Sequence, residues 1–203
     1  QWCIQIDITN SCIKRCSNCT RLLAHEKKPF FMDLETFEKA VISVKDFPVG
    51  KDCRGRTKVV GIMGGEPLIH PQFPDMVDIM CKHIPDCKGR GLWTCIDFRK
   101  GHKHKDKCVQ LLGSLSANSN HKGRKYGYLN LNTHEPACYH QSLLIASKDV
   151  IPDEEERWKL INDCWVQIRW ASGITPKGFF FCEVAAAFDM IFDGPGGLPL
   201  EPG

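Results

Sequence analysis

The chain has 203 residues, of which 42% are hydrophobic and 25% charged, a balance typical of one globular domain with or without a small appendage. Its formal net charge of +3 is too small to indicate nucleic-acid binding, and no apolar run approaches the length of a membrane span. Cysteine is the unusual component, at 12 residues, and the first residues do not resemble a signal peptide. We therefore expect metal ligation in the cytoplasm, with no membrane or nucleic-acid partner, rather than a secreted disulfide framework.

Strand and helix patterns alternate along residues 1–132. Alternating apolar residues predict a strand over residues 2–8, and Asp33 is placed to cap an amphipathic helix over residues 33–47. Similar patterns predict strands at residues 58–63, 91–96 and 126–131, and helices at residues 71–84 and 105–115. Strands that alternate with helices pair in parallel through right-handed crossovers, which predicts an α/β sheet or partial barrel. Functional sites in such folds form beyond the carboxyl ends of the strands.

The pattern changes after residue 132. The remaining segments predict an acid-rich helix at residues 152–165, a short strand at 178–181 and a helix at 183–192. Residues 194–203 are rich in proline and glycine and show no periodicity. We expect three regions: a core over residues 1–132, a small module over 133–193, and a tail over 194–203.

Three cysteines crowd into the loop that follows the first predicted strand. Cys12, Cys16 and Cys19 have the spacing C-x3-C-x2-C. A 4Fe–4S cluster normally takes four ligands, so three thiolates leave one iron open to a small molecule. A zinc site is the alternative, but structural zinc takes four ligands, commonly in paired C-x2-C units that this loop lacks.

A second motif follows the second predicted strand, at the same edge of the sheet. Gly64, Gly65, Glu66 and Pro67 form the sequence GGEP. With the cysteine loop and its lead-in at residues 7–10, this motif makes the chain similar to the radical S-adenosylmethionine (SAM) superfamily. The resemblance is clear in roughly the first half of the chain and weak beyond it.

The resemblance implies a partial (β/α) barrel of the radical SAM type with a small C-terminal auxiliary module. It implies that Cys12, Cys16 and Cys19 bind a 4Fe–4S cluster and that SAM chelates the fourth iron. Residues 64–67 would receive the amino group of SAM through backbone carbonyls and the Glu66 side chain. One electron would then cleave SAM to methionine and a 5′-deoxyadenosyl radical, which takes hydrogen from a substrate C–H bond.

The same resemblance implies partners and further contacts. The family needs an electron donor such as flavodoxin or ferredoxin, and its substrates are small molecules or peptides. Asn18 stands where the family often has an aromatic residue near the adenine, so Asn18 is a candidate SAM contact. Asn130 or Asn132 is a candidate ribose contact.

Three later cysteines, Cys138, Cys164 and Cys182, fall in the altered C-terminal third. This region resembles the SPASM or twitch regions that hold an auxiliary 4Fe–4S cluster, and Cys182 directly precedes a predicted helix, whose N-terminus stabilises a thiolate. The alternative is three unrelated buried thiols. His134 and His140 flank Cys138 as candidates for a fourth ligand. The other cysteines have no ligand spacing and are predicted to be packing residues.

The basic segments at residues 100–107 and 121–125 are predicted to be solvated faces, and binding of a phosphate or an acidic peptide is the alternative. They lack interleaved aromatic residues, so single-stranded nucleic acid is not expected. The leading hypothesis is a radical SAM enzyme that oxidises or modifies a small molecule or peptide. The rival hypothesis is a non-catalytic iron–sulfur or zinc-binding module.

Overall fold

A six-stranded sheet organises the part of the chain that the computed structural model describes, which is residues 1–17, 19–26, 28–118, 124–132 and 145–201. The strands are β1 (Cys3–Asp7), β2 (Val59–Met63), β3 (Arg90–Thr94), β4 (Tyr128–Leu131), β5 (Ala171–Thr175) and β6 (Gly178–Phe180). Their order across the sheet is β4-β3-β2-β1-β5-β6. All neighbouring pairs are parallel except β5 and β6. The carboxyl ends of β1 to β5 therefore share one edge, which we call the carboxyl edge.

The described helices are α1 (Leu34–Val44), α2 (Phe73–His83), α3 (Lys105–Leu112), α4 (Ser147–Val150), α5 (Glu154–Asn162) and α6 (Glu183–Phe192), with one π-helical turn at Val166–Trp170. Asp33 caps α1 as predicted, because its carboxylate accepts a hydrogen bond from Thr36 N at 2.8 Å. α3 ends at Leu112, earlier than predicted, because Gly113 adopts a left-handed conformation and its N–H bonds to Val109 O. None of the described helices has the length and apolar character that a bilayer crossing demands.

Helices α1, α2 and α3 cover one face of the sheet. Ile4 and Ile6 of β1, and Ile8 just beyond it, alternate with residues on the other face and join the main core. The helices contribute the buried side chains of Phe37, Ala40, Val41, Phe73, Met76, Val77, Met80, Cys108, Leu111 and Leu112. This burial of one side of each element explains why the sequence periodicity of residues 1–132 predicts their type correctly.

The second face of the sheet is filled differently at its two ends. Near the amino ends of the strands, Trp2 packs against Tyr128 with ring centroids 4.7 Å apart, and Trp93 joins them. Gly61 leaves room for Trp93, since a Cβ there would lie 2.1 Å from the indole ring. Helix α6 covers β5 on this face, where a Cβ on Gly173 would approach Ala186 to 3.1 Å.

The segment after residue 144 joins the same sheet. β5, which the sequence analysis missed, pairs in parallel with β1 and places the strands of residues 171–180 beside the core. Residues at the start of the predicted tail pair with β6, because Leu198 and Phe179 exchange backbone hydrogen bonds of 2.8 and 2.9 Å. The mixed α/β class with a mostly parallel sheet agrees with the predicted fold class. Closure into a barrel and the division into core, auxiliary module and tail stay predictions.

Candidate functional site

The glycine turn after β2 presses against the start of the cysteine loop. Gly65 N donates to Thr9 O at 2.6 Å, and Glu66 N donates to Ser11 O at 2.8 Å. A Cβ on Gly65 would lie 2.1 Å from Ser11 O, so only glycine allows this approach. Gly64 adopts φ +140°, where a Cβ would lie 2.3 Å from Thr9 O. The two predicted motifs thus meet at the carboxyl edge, one residue before Cys12.

The lead-in residues close the cysteine loop at its base. Thr9 Oγ1 donates to Phe30 O at 2.7 Å, and Asn10 Nδ2 donates to Lys28 O at 2.8 Å. Asn10 Oδ1 in turn accepts from Phe30 N at 2.8 Å. These side chains satisfy backbone groups that no strand partner reaches, and they bring the two ends of the loop together.

The three cysteines of the loop are half-buried and electrostatically coupled. Burial, followed by the charges of Cys19 and Cys12, raises the pKa of the Cys16 thiol. The Cys95 thiol shares its one proton between Cys12 Sγ and Glu66 Oε2, and its hydrogen bond is the main reason that the pKa of Cys12 is lowered to about 6. Lys14 N also donates to Cys12 Sγ at 3.4 Å. These hydrogen bonds favour the thiolate form of Cys12, which is the form that binds metals.

The donor set of the loop is three thiols, which is the chemistry of the protein ligands of an iron–sulfur cluster. Within the described ranges, no group of three or more His, Cys, Asp or Glu side chains is placed to hold one metal ion. The thiolates of a cubane bind different irons and stand farther apart than the ligands of one ion. Soft thiolates suit such a cluster, and Cys12, Cys16 and Cys19 would be the residues that hold it.

Glu66 is completely buried and ties β2 to β3. Its Oε1 accepts from Leu68 N at 3.0 Å and from Thr94 Oγ1 at 2.7 Å. Its Oε2 accepts from Cys95 N at 2.8 Å and from Cys95 Sγ at 3.0 Å. A carboxylate has about four acceptor positions, so these donors fill it. For Glu66 to bind the amino group of SAM, as the resemblance implies, one donor must move. Pro67 opens the short 3-10 turn that follows.

Cys95 is the residue at this site that the sequence analysis missed. It directly follows β3, and its thiol contacts both Glu66 and Cys12. From the sequence it was predicted to be a packing residue, because no other cysteine lies at a ligand-like spacing from it. Only the pairing of β2 with β3 brings it to the cysteine loop.

A buried charge network supports the loop from the second face of the sheet. Arg21 lies two residues after Cys19, and its Nε pairs with Asp7 Oδ2 at 2.8 Å. Its Nη1 pairs with Glu183 Oε2 of α6 at 3.0 Å. Burial lowers the pKa of Arg21, but Asp7 and Glu183 outweigh it and hold the pKa above its ordinary value. The network thereby joins the loop, β1 and α6.

A cavity opens beside this network. It is small, about 20 Å³, which is roughly the room that one water molecule needs. Its lining residues are Asp7, Thr9, Asn10, Arg21, Leu23, Glu26, Phe30, Gly64, Thr175, Ala187 and Met190. Asp7 Oδ1 is buried and has no hydrogen-bond partner. Burial raises the pKa of the Asp7 carboxyl even though Arg21 opposes the shift. The cavity can therefore accept a hydrogen-bond donor at Asp7.

Two of the three predicted auxiliary cysteines, Cys164 and Cys182, lie in the described part of the chain. Cys182 is the N-cap residue of α6, although its side chain makes no capping hydrogen bond. Burial is the main reason that the pKa of its thiol is raised, and the charge of Cys164 adds a smaller contribution. Cys138 lies outside the described residues, together with His134 and His140. Asn18 also lies outside them, whereas Asn132 N bonds to Thr94 O at 2.8 Å at the carboxyl edge.

Comparison with known proteins gives a structural relative. No protein-family model matches the chain. No curated protein matches it by sequence either. The crystal structure of BtrN in complex with AdoMet and 2-DOIA matches with a TM-score of 0.52 and 14% identity, over 90% of this chain and 73% of that chain. At this identity the likeness concerns the fold, and the matching fold belongs to a protein that holds AdoMet, which is SAM.

Proposed function

We propose that this chain is a radical SAM enzyme. A 4Fe–4S cluster on Cys12, Cys16 and Cys19 would supply the electron that cleaves bound SAM to a 5′-deoxyadenosyl radical. The single observation that carries the proposal is the contact of the glycine turn with the start of the cysteine loop, where Gly65 N lies 2.6 Å from Thr9 O. Similarity of the fold to that of an AdoMet-bound protein supports it.

The residues of the carboxyl edge would position SAM. Gly64 and Gly65 present backbone without side chains, so their carbonyls can accept hydrogen bonds from an amino group. Glu66 holds the ends of β2 and β3 together through Thr94 and Cys95, and thereby fixes the wall against which SAM lies. Asn18, together with Asn130 or Asn132, remains the proposed contact for the adenosine.

The small cavity beside Arg21 is the proposed contact point for one polar group of the substrate. Gly64 belongs both to the glycine turn and to the cavity lining, so a substrate there would lie next to SAM. The unpartnered Asp7 Oδ1 would accept a hydrogen bond from an amine or hydroxyl of a small molecule or peptide. Oxidation or modification at a C–H bond is the proposed outcome, with flavodoxin or ferredoxin as the electron donor.

An auxiliary 4Fe–4S cluster is proposed at Cys138, Cys164 and Cys182, in a region similar to a SPASM or twitch module. The small contribution of the Cys164 charge to the pKa of Cys182, which stands at the N-terminus of α6, supports it. Such a cluster would bind the substrate or accept an electron from the substrate radical.

The proposal is tested by SAM turnover. The anaerobically reconstituted protein with dithionite should form 5′-deoxyadenosine, measured by liquid chromatography. Cys16→Ala should abolish the product, because the cluster loses one of its ligands. Cys53→Ala is the matched control, since Cys53 is an exposed cysteine. If the wild-type protein binds iron and sulfide but forms no 5′-deoxyadenosine, the chain is a non-catalytic iron–sulfur module instead.

Iron and sulfide counts test the auxiliary cluster. Two cubanes require about eight irons per chain and one requires about four. Cys182→Ala should lower the count by about four irons if the auxiliary cluster exists. Cys81→Ala, which changes a half-buried cysteine of α2, should leave the count unchanged. A wild-type count of about four would remove the auxiliary cluster from the proposal and leave the first cluster in place.

A further inference from the structure

A fourth thiol stands at the proposed cluster, on the side of the glycine turn. Cys95 is placed there by β3 and by its backbone N–H, which donates to Glu66 Oε2 at 2.8 Å. Its Sγ lies 3.0 Å from the same carboxylate oxygen and hydrogen-bonds to Cys12. Cys12 and Cys16 are close enough to affect each other's charge. Cys95 is therefore the cysteine that contacts both the cysteine loop, at Cys12, and GGEP, at Glu66.

We propose that Cys95 is the protein ligand of the fourth iron when SAM is absent, and that SAM displaces it. This inference rests on the proposed function. In the radical SAM arrangement the fourth iron faces the glycine turn, and Cys95 lies between that turn and Cys12. A thiolate is a better ligand for iron in a cluster than the alternatives at this edge, which are water and a Glu66 carboxylate that already accepts four hydrogen bonds.

The exchange of ligands needs no oxidant or reductant. When the bond between Cys95 Sγ and iron forms, the thiol proton passes to Glu66 Oε2, which already accepts its hydrogen bond. When SAM arrives, the sulfur–iron bond breaks, the proton returns to Cys95, and no electron moves in either direction. A metal ion deprotonates a coordinating thiol outright, so the protonated state of Cys95 in the cluster-free chain does not oppose the step.

The consequence is a cluster that keeps all its irons until SAM binds. An iron that has three sulfides and no protein ligand is the one lost on oxidation, which leaves a 3Fe–4S cluster. When Cys95 is bound, this iron has a protein ligand and is retained. The cost is a weaker apparent affinity for SAM, since only the fraction of molecules with the thiol released can bind it.

The test compares wild-type protein, Cys95→Ala, Cys95→Ser and the control Cys53→Ala, each reconstituted anaerobically without SAM. After brief oxidation with ferricyanide, electron paramagnetic resonance should show a strong 3Fe–4S signal in both Cys95 variants and little in the other two proteins. The variants should lose about one of four irons per cluster. If Cys95 occupies the iron in about 90% of wild-type molecules, SAM should bind the variants about ten-fold more tightly in calorimetry.

Cys95→Ser keeps a hydrogen-bond donor for Glu66, so this variant can replace Cys95→Ala in the test if Cys95→Ala does not fold. Mössbauer spectra of wild-type protein give a measurement that needs no variant. Without SAM we expect four irons that each have only sulfur ligands, namely three sulfides and one thiolate, and after SAM is added we expect one distinct iron. One distinct iron already present without SAM overturns the proposal, as do equal iron loss and equal SAM affinity in all four proteins. In those cases cluster and SAM binding persist and the proposed function stands. Failure of wild-type protein to assemble any cluster overturns both.

Discussion

At the scale of single residues, Arg21 joins parts of the chain that are distant in sequence. Its guanidinium contacts Asp7 on β1 and Glu183 on α6, and all three side chains are almost completely shielded from water. The two carboxylates have lost their hydration, so they depend on the Arg21 cation to compensate their charge. The residue therefore links the end of the cysteine loop to the last helix.

Replacement of Arg21 with Met should destabilise the protein by about 3–5 kcal/mol, because the buried carboxylates of Asp7 and Glu183 lose the cation between them. Urea unfolding followed by circular dichroism measures the change. Arg99→Met is the matched control: Arg99 pairs with Asp97 at 2.7 Å on the surface, and an exposed pair of this kind contributes about 0–1 kcal/mol. Equal effects of the two substitutions would contradict the role assigned to Arg21.

The pH dependence of the Arg21→Met variant has a defined sign. Burial raises the pKa of Asp7 even in the presence of Arg21, and loss of that cation raises it further. A carboxyl whose pKa is raised on folding binds protons more tightly in the folded state, so stability falls as pH rises through the folded pKa. The deficit of the variant relative to wild-type protein should be smaller at about pH 5 than at about pH 8. A deficit that is constant over this range, or larger at low pH, would contradict the burial of an uncompensated Asp7.

At the scale of elements, the crossing of the glycine turn over the cysteine loop is the decisive contact. Gly65→Ala should separate them, because the new Cβ would lie 2.1 Å from Ser11 O, which is backbone and cannot yield cheaply. We expect a loss of about 1–3 kcal/mol in unfolding free energy, together with weaker SAM binding measured by calorimetry.

Gly50→Ala provides the control for that substitution. Gly50 is exposed, and a Cβ there would meet only the Lys58 side chain at 3.5 Å. Its effect should stay within about 0.5 kcal/mol, with SAM binding unchanged. A Gly65→Ala protein that behaves like Gly50→Ala would show that the turn does not need its close approach to Ser11.

Elements were predictable where their periodicity was strong. β1 to β4 and α1 to α3 follow from alternating or helical apolar patterns, because each buries one side against the same core. β5 was missed because Ala171, Ser172 and Gly173 are small and show no apolar alternation. Strand β1 covers one edge of β5 and helix α6 covers one face of it. Because these contacts are tertiary, the local sequence does not reveal them.

At the scale of the whole molecule, β5, β6 and α6 complete the sheet around β1. A chain that stops after residue 132 would leave β1 without its β5 partner and Arg21 without Glu183. We expect it to lose cooperative thermal unfolding, measured by circular dichroism, since a central parallel strand would become an exposed edge.

The matched control for that truncation stops after residue 193. It retains β5 and α6 and gives up the Leu198–Phe179 pairing at the edge of β6. It should unfold cooperatively at a somewhat lower temperature. Cooperative unfolding of the chain ending at residue 132, at the wild-type temperature, would show that the core folds independently of the last third.

Features that depend on local spacing or local periodicity could be predicted from the sequence without a structure. The trio Cys12, Cys16 and Cys19 and the GGEP motif each lie within a few consecutive residues, so the sequence alone determined the candidate chemistry and the sheet edge that carries it. Cys95 at Glu66 and Arg21 at Glu183 depended on the tertiary structure. The members of these pairs are 29 and 162 residues apart, and only strand pairing and the packing of α6 bring them into contact.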